Sequence, residues 1–160
     1  RVKFIEELCE KFLLHAIRLS RIPPSALPKN LDVLIVDRLG LLPHLYPLAD
    51  VAYVGGGFEG SVHSVIEATL AKAAVVTGPA ILNSAEAMEL AREGLLVAME
   101  IPSYALFSEI VENLCKTTLV NAKKTAIFAR ERLGVTKKIV HTVVDDISID
   151  SKLAKAKTKE

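Results

Sequence analysis

The sequence predicts an α/β fold, a parallel sheet flanked by helices. Short apolar runs rich in β-branched residues recur at 32–36, 51–54, 73–77 and 95–98. Helix-length amphipathic stretches separate them, and glycine or proline marks several of the junctions. Continuous apolar strands alternating with helices are what a sheet covered on both faces requires.

Taken in order, Val2 to His15 carries apolar residues at 2, 5, 8, 9, 12 and 13, the spacing of one helix face. Ala16 to Leu19 reads as a short strand. Arg21 to Asn30, with Pro23, Pro24 and Pro28, reads as a loop. Asp32 to Val36 is a buried strand, followed by an amphipathic stretch, Leu41 to Ala49, interrupted by Pro43 and Pro47. Val51 to Val54 is the next buried strand. A helix is expected over Val62 to Lys72 and a strand over Ala73 to Thr77. Helix Asn83 to Glu93, strand Leu95 to Ala98 and helix Tyr104 to Cys115 follow. Val120 to Leu133 is a helix stopped by Gly134. Thr136 to Val143 reads as a short last helix, with a strand as the alternative. The whole is Rossmann-like, a single domain over 1–144, with a poorly ordered tail expected at 145–160.

At 160 residues the chain suits one domain and can bury roughly 70% of its unfolded surface. It is 51% hydrophobic and 24% charged, outside the disordered class. A net charge of +1 argues against a nucleic-acid binder held by a basic face. Cys9 and Cys115 form no zinc motif and no disulfide framework, and packing within helices is expected of both. No apolar run reaches the roughly 20 residues that span a bilayer, and no signal peptide is read at the start. The sequence opens at Arg1 inside a helix and has methionine only at 88 and 99. It reads as part of a longer chain.

The stretch Val51-Ala-Tyr-Val-Gly-Gly-Gly-Phe-Glu-Gly-Ser-Val-His-Ser-Val-Ile-Glu67 is the most informative. Glycines after a strand let a ligand approach the backbone, and a helix starting near Ser61 would favour an anion there. Gly60 and Ser61 would present donors to a phosphate or carboxylate. Equally, the segment could be a tight turn with Ser61 as N-cap. Gly55, Gly57 and Gly60 spell a dinucleotide fingerprint, but the next strand ends at Thr77-Gly78-Pro79 without the acidic residue that fingerprint needs. His63 and Glu67, four apart, would share a helix face. There Glu67 could hold a ribose diol or simply be solvated. Arg38, Lys72 and Arg92 could reach a phosphate or a sugar carboxylate, with surface solvation as the alternative.

Asp32-Val-Leu-Ile-Val-Asp-Arg-Leu-Gly-Leu-Leu-Pro-His-Leu-Tyr-Pro-Leu-Ala-Asp-Val-Ala-Tyr-Val-Gly-Gly-Gly-Phe58 resembles the C-terminal domain of 3-deoxy-D-manno-octulosonic acid (Kdo) transferases. Those proteins carry D-x-x-G-x-L-x-x-x-Y, then A-D-V-A-(F/Y)-V-G-G-(S/G), then H-N-x-x-E-P and a strand running into G-P. Here the corresponding residues are His63-Ser-Val-Ile-Glu67-Ala68, then Ala74-Val-Val-Thr-Gly78-Pro79 and Asn83. Gly134 to Ile139 resembles the family's closing G-A-T-x-x-I. This chain departs from the pattern at Ser64 (Asn in the family), Ala68 (Pro), Lys72 (Gly) and Ala74 (Pro).

The resemblance implies the C-terminal, donor-binding half of a GT-B glycosyltransferase that takes Kdo from CMP-Kdo to the lipid A precursor of lipopolysaccharide. It implies that Glu67 holds the CMP ribose, and that Gly55, Gly56, Gly57, Gly60 and Ser61 line the donor pocket. His63, Ser64, Gly78 and Asn83 are the further donor-site positions. Asn83 could instead cap a helix, with Glu86 closing a capping box. It further implies no cofactor and no metal, and an acceptor site, a catalytic carboxylate and a first strand that all precede residue 1. No catalytic residue is assigned here, and the chain alone is expected to transfer no sugar. The intact protein would work at the cytoplasmic face of the bacterial inner membrane, this part being soluble and touching no nucleic acid. Competing readings are another nucleotide-sugar GT-B transferase, a UDP-sugar epimerase, or a non-catalytic Rossmann-like interaction module.

Overall fold

A computed structural model of the chain describes residues 2–23 and 28–132, with 140, 142 and 144. Most of the 136–143 element, the Gly134 stop, the Gly134–Ile139 match and the 145–160 tail lie outside the described residues. The described elements are α1 (Val2–Lys11), β1 (Ala16–Arg18), β2 (Val33–Ile35), α2 (Leu42–Leu45), β3 (Val51–Val54), α3 (Ile66–Leu70), β4 (Ala74–Thr77), α4 (Ala85–Arg92), β5 (Leu96–Ala98), α5 (Tyr104–Lys116) and α6 (Thr118–Arg132). Every ladder is parallel, as the alternation of strands and helices requires. They form two sheets, β1–β2 and β3–β4–β5.

Side chains alternate across the larger sheet. The register pairs Ala52 with Val75 and Val54 with Thr77, and these residues share a face. That face meets α3, α4 and α6: Ala52, Val54, Val65, Ala68, Val75, Ala87, Leu90, Leu96 and Phe128 form one buried cluster. On the opposite face Tyr53 meets Phe107 of α5 edge-on, with ring centroids 5.8 Å apart. β2 differs from the expected buried strand, since only Ile35 is fully buried there. Carboxylates hold its junctions with β1. Asp32 accepts from the His15 N–H at 2.8 Å, and Asp37 accepts from both the N–H and the hydroxyl of Ser20. The Ser20 hydroxyl holds the Asp37 carboxyl below its ordinary range. The Arg18 guanidinium, bonded to Glu6 through two nitrogens, does the same to the Glu6 carboxyl.

Several helix bounds differ from the sequence expectation, for local reasons. α1 stops at Lys11 rather than His15, because Leu13 turns left-handed (φ 56°) and the Leu14 N–H reaches back to Cys9 O at 2.9 Å. The same closure ends α3 at Lys72 (φ 73°), with Ala73 N bonded to Ala68 O. It ends α4 at Gly94 (φ 68°), with Leu95 N bonded to Leu90 O. All three are Schellman motifs, which favour glycine at the left-handed position. The family's glycine at position 72 thus has a geometric reason that this chain does without. Leucine or lysine there carries a Cβ penalty of roughly 1–2 kcal/mol, against a smaller entropic cost for glycine. Lys72→Gly is therefore expected to stabilise the chain by about 0.5–1 kcal/mol, seen as a rise of about 2 °C in Tm. A fall in Tm would mean that the lysine side chain contributes more than its backbone strain.

The Leu41–Ala49 stretch is not one helix. Pro47 ends α2 and starts a separate 3₁₀ turn at Tyr46–Leu48. Cys9 is buried as expected, whereas Cys115 is exposed. Among the described residues, no helix is long and apolar enough to cross a membrane.

Candidate functional site

The carboxyl ends of β3, β4 and β5 converge on one rim, where open α/β sheets place their ligands. Three loops leave it: the glycine segment 55–65, the turn 78–84 and the connection 99–103. They are stitched at their roots. Thr77, fully buried, donates its hydroxyl to Val54 O at 2.9 Å, and its own carbonyl accepts from Met99 N at 2.8 Å.

The glycine segment divides by what each residue faces. Gly57 and Gly78 lie backbone to backbone. A methyl on Gly57 would sit 2.7 Å from Gly78 N, and one on Gly78 would sit 2.5 Å from the Gly57 carbonyl carbon. Ala80 N then bonds to Gly57 O at 3.0 Å. Gly56 turns with φ 90°, and a methyl there would collide with Ser61 O and lie 3.3 Å from the His63 ring. Gly55 and Gly60 have open space where a Cβ would stand. Of the four glycines here, these are the two whose Cα faces open space.

His63 is brought to the segment by its N–H, which donates to Gly55 O at 3.1 Å, and its ring stays exposed. Ser61 and Ser64 are exposed as well. Among the described residues, the N–H groups of Gly60 and Ser61 bond to no backbone carbonyl, unlike those of Glu59, Val62 and His63. A helix beginning near Ser61 does not form. α3 starts at Ile66, its N-cap is Val65, and no side chain caps it. Val62 and Val65 are buried from an irregular segment, so their apolar spacing reflects insertion into the core rather than helical periodicity. The expected sharing of one helix face by His63 and Glu67 falls with it. Glu67 alone lies on α3, exposed in its first turn.

Asn83 is exposed in the turn before α4 and does not cap it. Ser84 is the N-cap, and its hydroxyl oxygen accepts from Ala87 N at 3.2 Å. The cap is thus displaced by one residue, and with Ala87 at the third helical position the Asn83–Glu86 capping box does not form. All three basic candidates, Arg38, Lys72 and Arg92 at the end of α4, are exposed.

Sequence reasoning missed a recess beside the glycine segment. Tyr53, Phe58, Met99, Pro102, Tyr104 and Phe107 line an open recess of about 340 Å³ with mostly apolar walls. Phe58 belongs to the glycine segment itself, and Tyr104 opens α5, whose N-cap Ser103 accepts from Leu106 N at 3.4 Å. The recess is assembled from two separated stretches of chain, 53–58 and 99–107, so no local periodicity announces it.

The chain matches no family model. It is 40% identical over 63 residues to the 3-deoxy-D-manno-octulosonic acid transferase of Chlamydia muridarum, covering 38% of this chain and 15% of that protein. It is 37% identical over 67 residues to the Chlamydia trachomatis protein of the same name, covering 41% of this chain and 16% of that protein. The match thus spans less than a fifth of either relative. Among solved structures, the C-terminal CMP-Kdo binding domain of WaaA from Acinetobacter baumannii superposes with a TM-score of 0.61 at 20% identity. That superposition covers 78% of this chain and 67% of that one. The resemblance read from the glycine segment is therefore matched in both comparisons: the chain is similar in sequence to Kdo transferases and has the fold of a C-terminal domain of that kind.

Proposed function

We propose that this chain is the donor-binding part of a Kdo transferase of the GT-B type, and that its glycine segment receives the nucleotide of CMP-Kdo. The observation that carries the reading is the coincidence of open backbone at Gly55 and Gly60 with the stretch that resembles the family. Glu67, exposed on α3, has two carboxylate oxygens to accept hydrogen bonds from the ribose diol. The free N–H groups of Gly60 and Ser61 offer donors to the phosphate, with His63 and Ser64 beside them. Stabilising departing CMP through such preorganised donors lowers the barrier where negative charge develops, and no metal or cofactor is assigned.

In the intact protein the acceptor hydroxyl of the lipid A precursor attacks the Kdo anomeric carbon. The carbon–oxygen bond to the CMP phosphate breaks, and the configuration inverts. A carboxylate outside the matched region takes the hydroxyl proton. Acceptor recognition and attachment to the cytoplasmic face of the inner membrane belong to that remainder too. The 160-residue chain by itself transfers no sugar.

A CMP titration of isotope-labelled protein, followed through backbone amide shifts, tests this. CMP is expected to shift amides between Gly55 and Glu67, and Glu67→Ala to weaken binding about tenfold, the loss of one hydrogen-bonded charged group. UMP at the same concentrations should give much smaller shifts. A preference for UMP would move the assignment to a uridine-sugar enzyme. Silence toward every nucleotide, here and in a chain extended to the length of the relatives, would sink it.

A further inference from the structure

We infer that Thr77 is a positioning residue for the glycine segment. Its use in donor binding rests on the reading above, but its geometry does not. In the parallel ladder between β3 and β4, Ala74 N donates to Asp50 O at 2.9 Å. Donors in such a ladder advance by two residues, so the rung facing Val54 O falls to Gly78 N. The ladder runs to that point, pairing Val54 with Thr77, and the Thr77 hydroxyl also donates to Val54 O at 2.9 Å. Gly78 lies against the Gly57 backbone.

A side-chain donor on this carbonyl sits where the two loops begin. Val54 is the last residue of β3, and its carbonyl is the hinge from which Gly55 departs. Beyond Thr77 the 78–80 turn lies across the glycine segment. Its Ala80 N then takes Gly57 O, and its Ala80 O receives Val62 N at 3.4 Å. Thr77 holds the strand end in register while this happens. Its carbonyl passes the restraint on to β5 through Met99 N. Packing alone does not call for threonine here, because the residue is fully buried and valine fills nearly the same volume. A buried hydroxyl is tolerated because it is bonded, and the bond it makes is to the root of the candidate site.

Amide hydrogen exchange on the 160-residue chain tests the role, comparing wild type with Thr77→Val and Thr77→Ser. In Thr77→Val the amides of His63 and Ala80, which tie the two loops together, should exchange about tenfold faster. The Leu95 amide, bonded to Leu90 O far from the rim, should keep its wild-type rate. Thr77→Ser, which keeps the hydroxyl, should restore slow exchange at His63 and Ala80. Unchanged exchange at both amides in Thr77→Val would overturn the proposal. So would acceleration that includes Leu95 equally, at its extreme a chain that does not fold, since that is the mark of an ordinary core residue. Failure of Thr77→Ser to restore the rates would overturn it too. A CMP titration of the same samples keeps the two readings apart. Wild-type silence toward CMP bears on donor binding alone, and the exchange pattern bears on Thr77 alone.

Discussion

Gly78→Ala is expected to lower the stability of the chain by about 3 kcal/mol, at the upper end of what overpacking costs. With an urea m-value of about 2 kcal/mol/M, this moves the denaturation midpoint down by roughly 1.5 M. The reason is the nature of the neighbour. A methyl there meets the Gly57 carbonyl carbon at 2.5 Å and Phe58 N at 2.7 Å, and both are main chain. A side chain could rotate aside, but a backbone held at both ends by hydrogen bonds must move with its loop. Gly57→Ala obstructs the same gap from the other side, with Gly78 N at 2.7 Å. The two changes share one obstruction, so the double variant should lose less than the sum. Gly55→Ala is the control within the same loop. It has nothing within 4 Å of its Cβ and should leave the midpoint close to wild type. Should Gly78→Ala denature within about 0.3 M of wild type, the two loops do not meet as described.

Leu90→Ala should cost about 3 kcal/mol as well, by the opposite mechanism. Leu90 is wholly buried, one of the largest side chains so placed, and sits in the cluster with Val75, Leu96 and Phe128. Its removal forfeits the transfer free energy and leaves a cavity that rigid neighbours fill only in part. Its carbonyl also closes α4 by accepting from Leu95 N, but the alanine variant keeps that bond. The loss should thus appear in the urea midpoint with an unchanged m-value. A loss below 1 kcal/mol, well under the range for such truncations, would show that the α4–sheet interface collapses to fill the space.

What could be read from the sequence depended on whether a residue type and its geometry agreed. β3 and β4 were legible because their apolar runs are bounded by Asp50, Gly55 and Gly78. α5 was legible at its start because Ser103 caps it. The start of α3 was not legible, since Val62 and Val65 enter the core from an irregular segment and imitate helical spacing. The end of α1 was hidden because Leu13, 93% exposed, occupies a left-handed position that usually announces itself as glycine. At the site, sequence reasoning found the glycines but could not sort them. Gly57 and Gly78 face each other across a backbone contact 21 residues apart in sequence, which no local pattern encodes. The aromatic recess and the Thr77 latch were hidden for the same reason, since both are relations between separate strand ends.

The division of the strands into two sheets has a thermodynamic consequence. The main core cluster draws on no residue before Tyr46, while α1, β1 and β2 are held by their own ladder, the Glu6–Arg18 pair and two carboxylate clamps. No ladder joins one set to the other among the described residues. The described strands thus form two ladders of unequal size, and protection against opening follows the ladder in which a backbone lies. The glycine segment is rooted in the larger one. An opening confined to the β1–β2 pair would therefore leave the glycine segment on its three-stranded scaffold.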